Sequence, residues 1–345
     1  MTEVLFTEIE KANYEAIKAR TNESANKLLG LYFPVLDHGF VSLVDYMGSD
    51  AEVARAARCS YGAGTRAISD DRALIRYLVR HKHTSPLEQV EFKLHCKMPI
   101  FVARQWVRHR TASLNEMSGR YSIMPLQFYS PKFEDFKLQA KDNKQGRDRE
   151  VERNVYIENR IRSDTARALV TENYEIDLGN DVARELARID LPLSTYTEWY
   201  WKMDLNNLMR FMYLRSDSHA QFEIRAFSDV IAGIVQEVAP ASYEAWLDYM
   251  FTGAEFSHQE MKALLALGNE LGGCGSDLGG GFEEVIPPED QWTEWGKLFG
   301  LSKREVAEFF GKLKLKERPN YKLDLSKAKS PEYYQKEAEK YVPKI

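Results

Sequence analysis

The chain predicts a mixed α and β fold with helices dominating its second half. Three observations carry that expectation. GFVSLVDYM (39–47) is rich in β-branched and aromatic residues, and VEFKLHCKM (90–98) alternates apolar with polar residues, as a strand with one buried face does. Most other segments up to residue 251 repeat apolar residues at helical spacing. Hydrophobic residues make up 44% of the 345, enough for one large or two average domains with a sizeable core.

The elements follow in order. Residues 1–30 read as a polar, partly helical extension. SDAEVARAARCSY (49–61) opens on a capping Ser-Asp pair and continues as a helix. DDRALIRYLVRHKH (70–83) is amphipathic, and Pro86 lies just beyond it, where a helix cannot continue. Pro99 after the second strand suits the first turn of a helix over 100–110. Ile100, Phe101, Val102, Trp106 and Val107 supply the expected buried side. Ser113 and Glu116 have the spacing of a capping box, so a second helix is expected to restart there.

Residues 130–150 are polar and read as an exposed excursion, and 151–175 as a long helix. From 181 to 251 the text is read as nearly all helix, punctuated by Pro192 and Pro240. Seven glycines in fourteen residues (268–281) lack G-K-[ST], so they read as a linker and not a phosphate loop. One further helix is expected at SKREVAEFFGKLK (302–314) in a charged tail.

Forty-seven basic residues against 52 acidic give a net charge of −5. That disfavours a protein built to coat nucleic acid. Three widely spaced cysteines, Cys59, Cys96 and Cys274, suggest neither a disulfide framework nor a zinc site, and point to a reducing cytoplasm. Cys59 and Tyr121 read as packing residues. The N-terminus does not resemble a secretory signal, and no run approaches the roughly 18 apolar residues of a membrane span. A soluble protein without metal is expected.

RQWVRHRTASLNEMSGRYS (104–122) holds four arginines directly after the apolar run 98–103. Arginine presents a planar fork that matches phosphate, and the hydroxyls and Gly119 would add neutral donors. Composition leaves two readings open: ion pairing within the fold, or a site for a phosphorylated small molecule. A nucleic-acid helix is a third reading, which the acidic net charge disfavours.

The spacing R-H-R, seven residues, Ser118 resembles the signature of the flavin-dependent thymidylate synthases. HGFVSLVDYMG, RAARCSY, HKHTSPLEQVEF, PIFVARQWVRHR, RELARIDLPLSTYTEWYW and LRSDSHAQFEI resemble family segments in the expected order, from about His38 to about Phe251. The resemblance implies an α+β fold, a small antiparallel sheet packed with helices, in a homotetramer whose active sites are shared between subunits. It implies a catalytic domain over 31–254 with a polar insertion at 131–150, an N-terminal extension (1–30), and a C-terminal extension (255–345) of unassigned role.

The activity it implies is reductive methylation of deoxyuridylate (dUMP) to thymidylate. Methylene-tetrahydrofolate would be the carbon donor, FAD the hydride carrier and NADPH the reductant, with no cysteine nucleophile. Arg215 matches the arginine that activates the uracil ring. Gln105, Arg108, Glu116, Ser118, Gly119, Arg120 and Arg188 match dUMP-binding positions. Arg108, His109, Arg110 and Glu116 match flavin-contacting positions, with His83, Ser85 and His219 near the cofactor. His83 has a surface reading beside the functional one, and His219 could support Arg215. DLNNLMR departs from the family's pattern at Asp204, Asn206 and Arg210, which leaves the FAD contacts of Asn206 and Arg210 open. The partners implied are the chain itself and small molecules, not nucleic acid or membrane. A homologue that binds FAD and nucleotide without synthase activity is the alternative.

Overall fold

The computed structural model describes residues 22–60, 70–141, 146–273, 287–314 and 316–343. The chain divides into two compact units, one running to Trp246 and resuming at Tyr321, the other covering Leu247–Asn320.

The first unit opens with a short helix α1 (Glu23–Asn26), capped by the Asn22 side chain. A hairpin follows, β1 (Tyr32–Val35) and β2 (Gly39–Met47). Helices α2 (Asp50–Cys59) and α3 (Asp71–Arg80) come next; Asp70 caps α3 by accepting from the Arg72 amide. Strand β3 (Glu91–Pro99) leads directly into α4 (Ile100–Trp106), the proline closing one element and opening the next. Then come β4 (Ser113–Glu116), a small hairpin of β5 (Lys137–Gln139) and β6 (Arg147–Glu150), and the long helix α5 (Arg153–Gly179). A single turn α6 (Arg184–Ala187) precedes β7 (Tyr196–Asp204). Helices α7 (Leu205–Arg215), α8 (Phe222–Val238) and α9 (Pro240–Trp246) complete the domain.

Five strands form one antiparallel sheet in the order β1-β2-β3-β7-β4. The fold is α+β, as expected. The sheet's core face carries Val41, Leu43, Leu94, Cys96, Met98, Trp199, Trp201 and Met203, all buried. Phe211 of α7 and Phe227 of α8 close over it, and Trp106 sits among them, 5.5 Å edge-on to Trp199 and 5.0 Å from Phe211. Truncating such a residue to alanine costs about 3–5 kcal/mol.

Several expectations need correction. The helix from Ile100 ends at Trp106, and residues 107–110 turn away, leaving Val107 40% exposed. Ser113–Glu116 is a strand, not a capped helix: its backbone pairs with β7, and Glu116 accepts from Thr197 Oγ1 at 2.7 Å. The nominally all-helical stretch contains β7, whose Thr197, Trp199, Trp201 and Met203 are buried while Tyr200 and Lys202 are exposed. That period of two was present in YTEWYWKMD. Cys59 and Tyr121 are exposed, Tyr121 at 74%. Cys274 lies outside the described residues, and so do residues 1–21 of the N-terminal extension.

In the second unit, α10 (His258–Gly273) runs through the first glycines of the expected linker; the remainder of that stretch is outside the described residues. Helices α11 (Trp292–Phe299) and α12 (Lys303–Leu313) follow, α12 with a reciprocal Ser302/Glu305 capping box. Ala263, Leu267, Leu301, Val306, Phe309 and Phe310 form the unit's own core. Residues from Tyr321 belong again to the first unit and include α13 (Pro331–Glu339). Among the described residues no helix is long and apolar enough to cross a membrane.

Candidate active site

The aromatic core positions the first group of site residues. Phe211 packs edge-on against His109 at 4.9 Å. Helix α7 ends on Arg215, whose Nε donates to His109 Nε2 at 3.0 Å and whose Nη2 donates to the Gln105 carbonyl at 3.3 Å. That carbonyl lies in the last turn of α4, where peptide oxygens lack helical partners and a cation is favoured. Gln105 Nε2 in turn donates to Gln221 Oε1. Burial, then Arg215, then Arg210 depress His109 to about 4. Its imidazole is therefore neutral at neutral pH and keeps a free lone pair for Arg215.

Arg104, Arg108 and Arg110 are exposed and form no ion pair among the described residues. Arg210, one helical turn before Arg215, is likewise exposed and unpaired there. Three of the four arginines of this stretch, with Arg210 near them, therefore have no carboxylate partner among the described residues and remain available to an anion.

A second group forms beyond β4. The Arg120 amide donates to Ser118 Oγ at 3.3 Å, and Arg120 Nε pairs with Glu185 of α6 at 3.0 Å. Gly119 is buried so closely that a Cβ there would stand 2.9 Å from Met124 Sδ and 3.0 Å from Arg188 Cδ. Ser118, Gly119, Arg120 and Arg188 thus meet, as their shared assignment requires. The backing is an apolar cluster of Met124, Leu126, Tyr174 and Ala187.

The remaining residues stand apart. His83 and Ser85 are exposed in the loop after α3, with His83 near the rings of Tyr77 and His81. His219 is also exposed, and its amide and ring nitrogen both engage Asp217, not Arg215. Asp204 caps α7, accepting from Asn207 N at 2.9 Å and Asn207 Nδ2 at 2.7 Å. Its departure from the family's pattern is therefore a capping choice. Asn206 is half-buried beside it.

Sequence reasoning missed Gln221, Thr197, Glu185 and Arg184, whose Nη1 donates to the Tyr121 carbonyl. Only Glu185 gave a signal, an acidic residue in a basic run, and nothing in the sequence pairs it with Arg120. Among the described residues no cluster of three or more His, Cys, Asp or Glu is arranged to hold a metal.

Residues 42–241 match the family model described as thymidylate synthase complementing protein. The chain belongs to the flavin-dependent thymidylate synthase family. A flavin-dependent thymidylate synthase of Treponema denticola is 49% identical over 254 residues, covering 71% of this chain and 94% of that protein. One from Ehrlichia ruminantium is 48% identical over 235 residues, 68% of this chain and 78% of that protein. Among solved structures, the UMP/dUMP methylase PolB of Streptomyces cacaoi, bound with 5-Br dUMP, superposes with a TM-score of 0.57 at 30% identity, covering 63% of this chain and 97% of PolB. Family membership makes the chain an enzyme of the methyltransferase class. The matched span includes every candidate site residue and stops before Trp246, so the second unit and the C-terminal return lie outside it.

Proposed function

We propose that this protein converts dUMP to thymidylate, taking the one-carbon unit from methylene-tetrahydrofolate, with FAD as hydride carrier and NADPH as reductant. The observation that carries the reading is the Arg215–His109–Gln105 cluster beside uncompensated arginines, in a chain of this family.

Uracil C5 is a weak nucleophile and becomes a better one when N3 is ionised. Arg215 supports that anion: its guanidinium is half-buried, in surroundings where a cation facing a developing negative charge is worth far more than in water. His109 accepts the Nε proton and Gln105 O receives Nη2, which fixes the plane of the guanidinium while leaving Nη1 free to face a ring. Ser118, Arg120 and Arg188 are suited to the nucleotide's phosphate, with Gly119 allowing its close approach. Binding there would draw Arg120 away from Glu185. The exposed pair is worth under about 1 kcal/mol, so the exchange is inexpensive.

The residues present fit FAD. Arg108, Arg110 and Arg210 are cations without an ion-pair partner among the described residues, suited to its pyrophosphate, and Glu116, Asn206, His83, Ser85 and His219 offer polar contacts. When bound, the reduced flavin supplies the hydride that completes the methyl group. Buried Cys96 has its thiol pushed well up by desolvation, unlike a nucleophilic thiolate.

The chain acts as a homotetramer in this reading. Val155, Ile157, Ile161, Leu169 and Ile176 of α5 are all more than 40% exposed, and only Tyr174 of that 27-residue helix is buried. Such a face suits a subunit interface. Sharing of the site between subunits would also bring the separate His83–Ser85 loop to a flavin.

Incubation of purified protein with dUMP, methylene-tetrahydrofolate, NADPH and FAD should yield thymidylate. Flavin and dUMP binding without product would instead leave a nucleotide-binding homologue that lacks synthase activity.

A further inference from the structure

The segment from Tyr321 to Pro343 lies outside the family-matched span yet is attached to the first unit at three places. At its start, Tyr321 and Leu323 lie against α8 at Gly233. A Cβ on Gly233 would stand 2.4 Å from the Tyr321 carbonyl oxygen and 2.8 Å from two Leu323 side-chain carbons, so only glycine admits this approach. In its middle, Lys329 exchanges two backbone hydrogen bonds with Tyr32, at 2.8 and 3.0 Å. Near its end, the Tyr341 carbonyl accepts from the Leu126 amide at 2.9 Å.

Two of these attachments back the two groups of candidate site residues. Leu126 belongs to the apolar cluster behind Gly119 and Arg188. Tyr321 reaches Ser216, the residue immediately after Arg215. Ser216 is buried; its amide closes the last turn of α7 on Met212 O at 2.8 Å, and its hydroxyl meets Ser228 Oγ at 2.8 Å. The same hydroxyl lies within reach of the Tyr321 phenol and the Asp229 carboxylate. The Tyr321 ring lies 6.5 Å from that of Trp246, whose Nε1 donates to Met209 O inside α7.

A helix end lacks onward hydrogen bonds and frays unless tertiary contacts hold it. The end of α7 is where Arg215 must be placed to within a fraction of an ångström. We propose that the C-terminal return is a brace for the active site, and that Tyr321, acting through Ser216, is a positioning residue for Arg215. The inference rests on the functional reading above. It gives a role to a segment that the family's matched span does not contain.

Tyr321→Phe in the full-length holoenzyme keeps the ring and removes the hydroxyl. The expected result is a fall in kcat of about tenfold, with KM for dUMP and flavin content within twofold of wild type. Amide hydrogen exchange at Leu214–Asp217 should become faster. Ser216→Ala, which also gives up Ser228 and Asp229, should lose at least as much, and the double variant should fall no further than Ser216→Ala, because the Tyr321 contact is already gone. Leu323→Ala, which loosens packing but leaves the phenol, should lower Tm more than kcat, and exposed Tyr333→Ala should change neither. Wild-type kcat in a folded Tyr321→Phe, or losses that simply add in the double variant, would overturn the brace. A wild-type protein that makes no thymidylate would overturn the functional reading instead; exchange at Leu214–Asp217 then decides the brace, and an unchanged rate in Tyr321→Phe refutes it.

Discussion

Arg215 donates from Nε to Nε2 of His109 at 3.0 Å, and this joins the end of α7 to the turn after α4. The pairing works only while His109 is neutral, because a protonated imidazole has no lone pair to offer. Burial and two guanidinium groups secure that state by lowering His109 to about 4. A folded value below the free one of about 6.5 contributes stability fully above pH 6.5 and loses it as pH falls towards 4. Imidazole NMR should therefore show no titration of His109 between pH 5.5 and 8. A midpoint near 6.5 would contradict the pairing.

Arg215→Lys keeps the charge but loses the planar fork that reaches His109 and the Gln105 carbonyl together. Thymidylate formation should drop by about a hundredfold or more, the scale of removing one preorganised donor, while the melting temperature moves little. Turnover near wild type would remove Arg215 from the chemistry.

Much of this arrangement could be read in the sequence, and what could not has physical causes. The strand over 39–47 was legible because β-branched and aromatic residues run together, and the helix over 71–80 because its apolar face repeats at 3.6 residues. Strand β4 was not: SLNE carries a capping pattern whose meaning depends on whether β7 is there to pair with it. Tertiary pairing overrode the local signal. The site residues came from spacing and family resemblance, but their connections did not. No pattern in the sequence joins Arg120 to Glu185, 65 positions away, or brings Tyr321 to Ser216.

Gly119→Ala tests the second group of site residues. The added Cβ meets Met124 Sδ at 2.9 Å and Arg188 Cδ at 3.0 Å. Met124 is backed by a packed cluster and yields little, so Arg188 is the group displaced. Affinity for dUMP should weaken by about tenfold, with flavin binding retained. That loss corresponds to about 1.4 kcal/mol. Unchanged dUMP affinity would exclude Arg188 and Gly119 from the nucleotide site.

Replacing the three cysteines separates this chemistry from thiol addition. Cys59→Ser and Cys274→Ser should leave turnover within twofold of wild type. Cys96→Ala should preserve turnover per folded molecule while costing about 1–2 kcal/mol of stability, because Cys96 is fully buried in the sheet core. Loss of turnover in any folded, flavin-loaded variant would reintroduce a nucleophilic cysteine.

Asp229 supplies a pH test of the polar network behind Arg215. Its carboxyl is pushed up to about 6 by burial, against the opposing pull of the Ser216 hydroxyl and then Arg225, and one oxygen is buried with no partner. Tyr243 and Tyr321 lie close enough to feel its charge. A folded value above the unfolded one of about 3.9 contributes stability fully below pH 4 and loses it as pH rises through 6. At pH 7.5 the ionised carboxylate therefore costs about 3 kcal/mol relative to a neutral group of the same shape. Asp229→Asn should raise the melting temperature at pH 7.5 and have almost no effect at pH 4. If ionised Asp229 is instead held favourably by Arg225, the substitution will destabilise at pH 7.5, and the buried carboxylate will have to be counted as part of the brace and not as a burden on it.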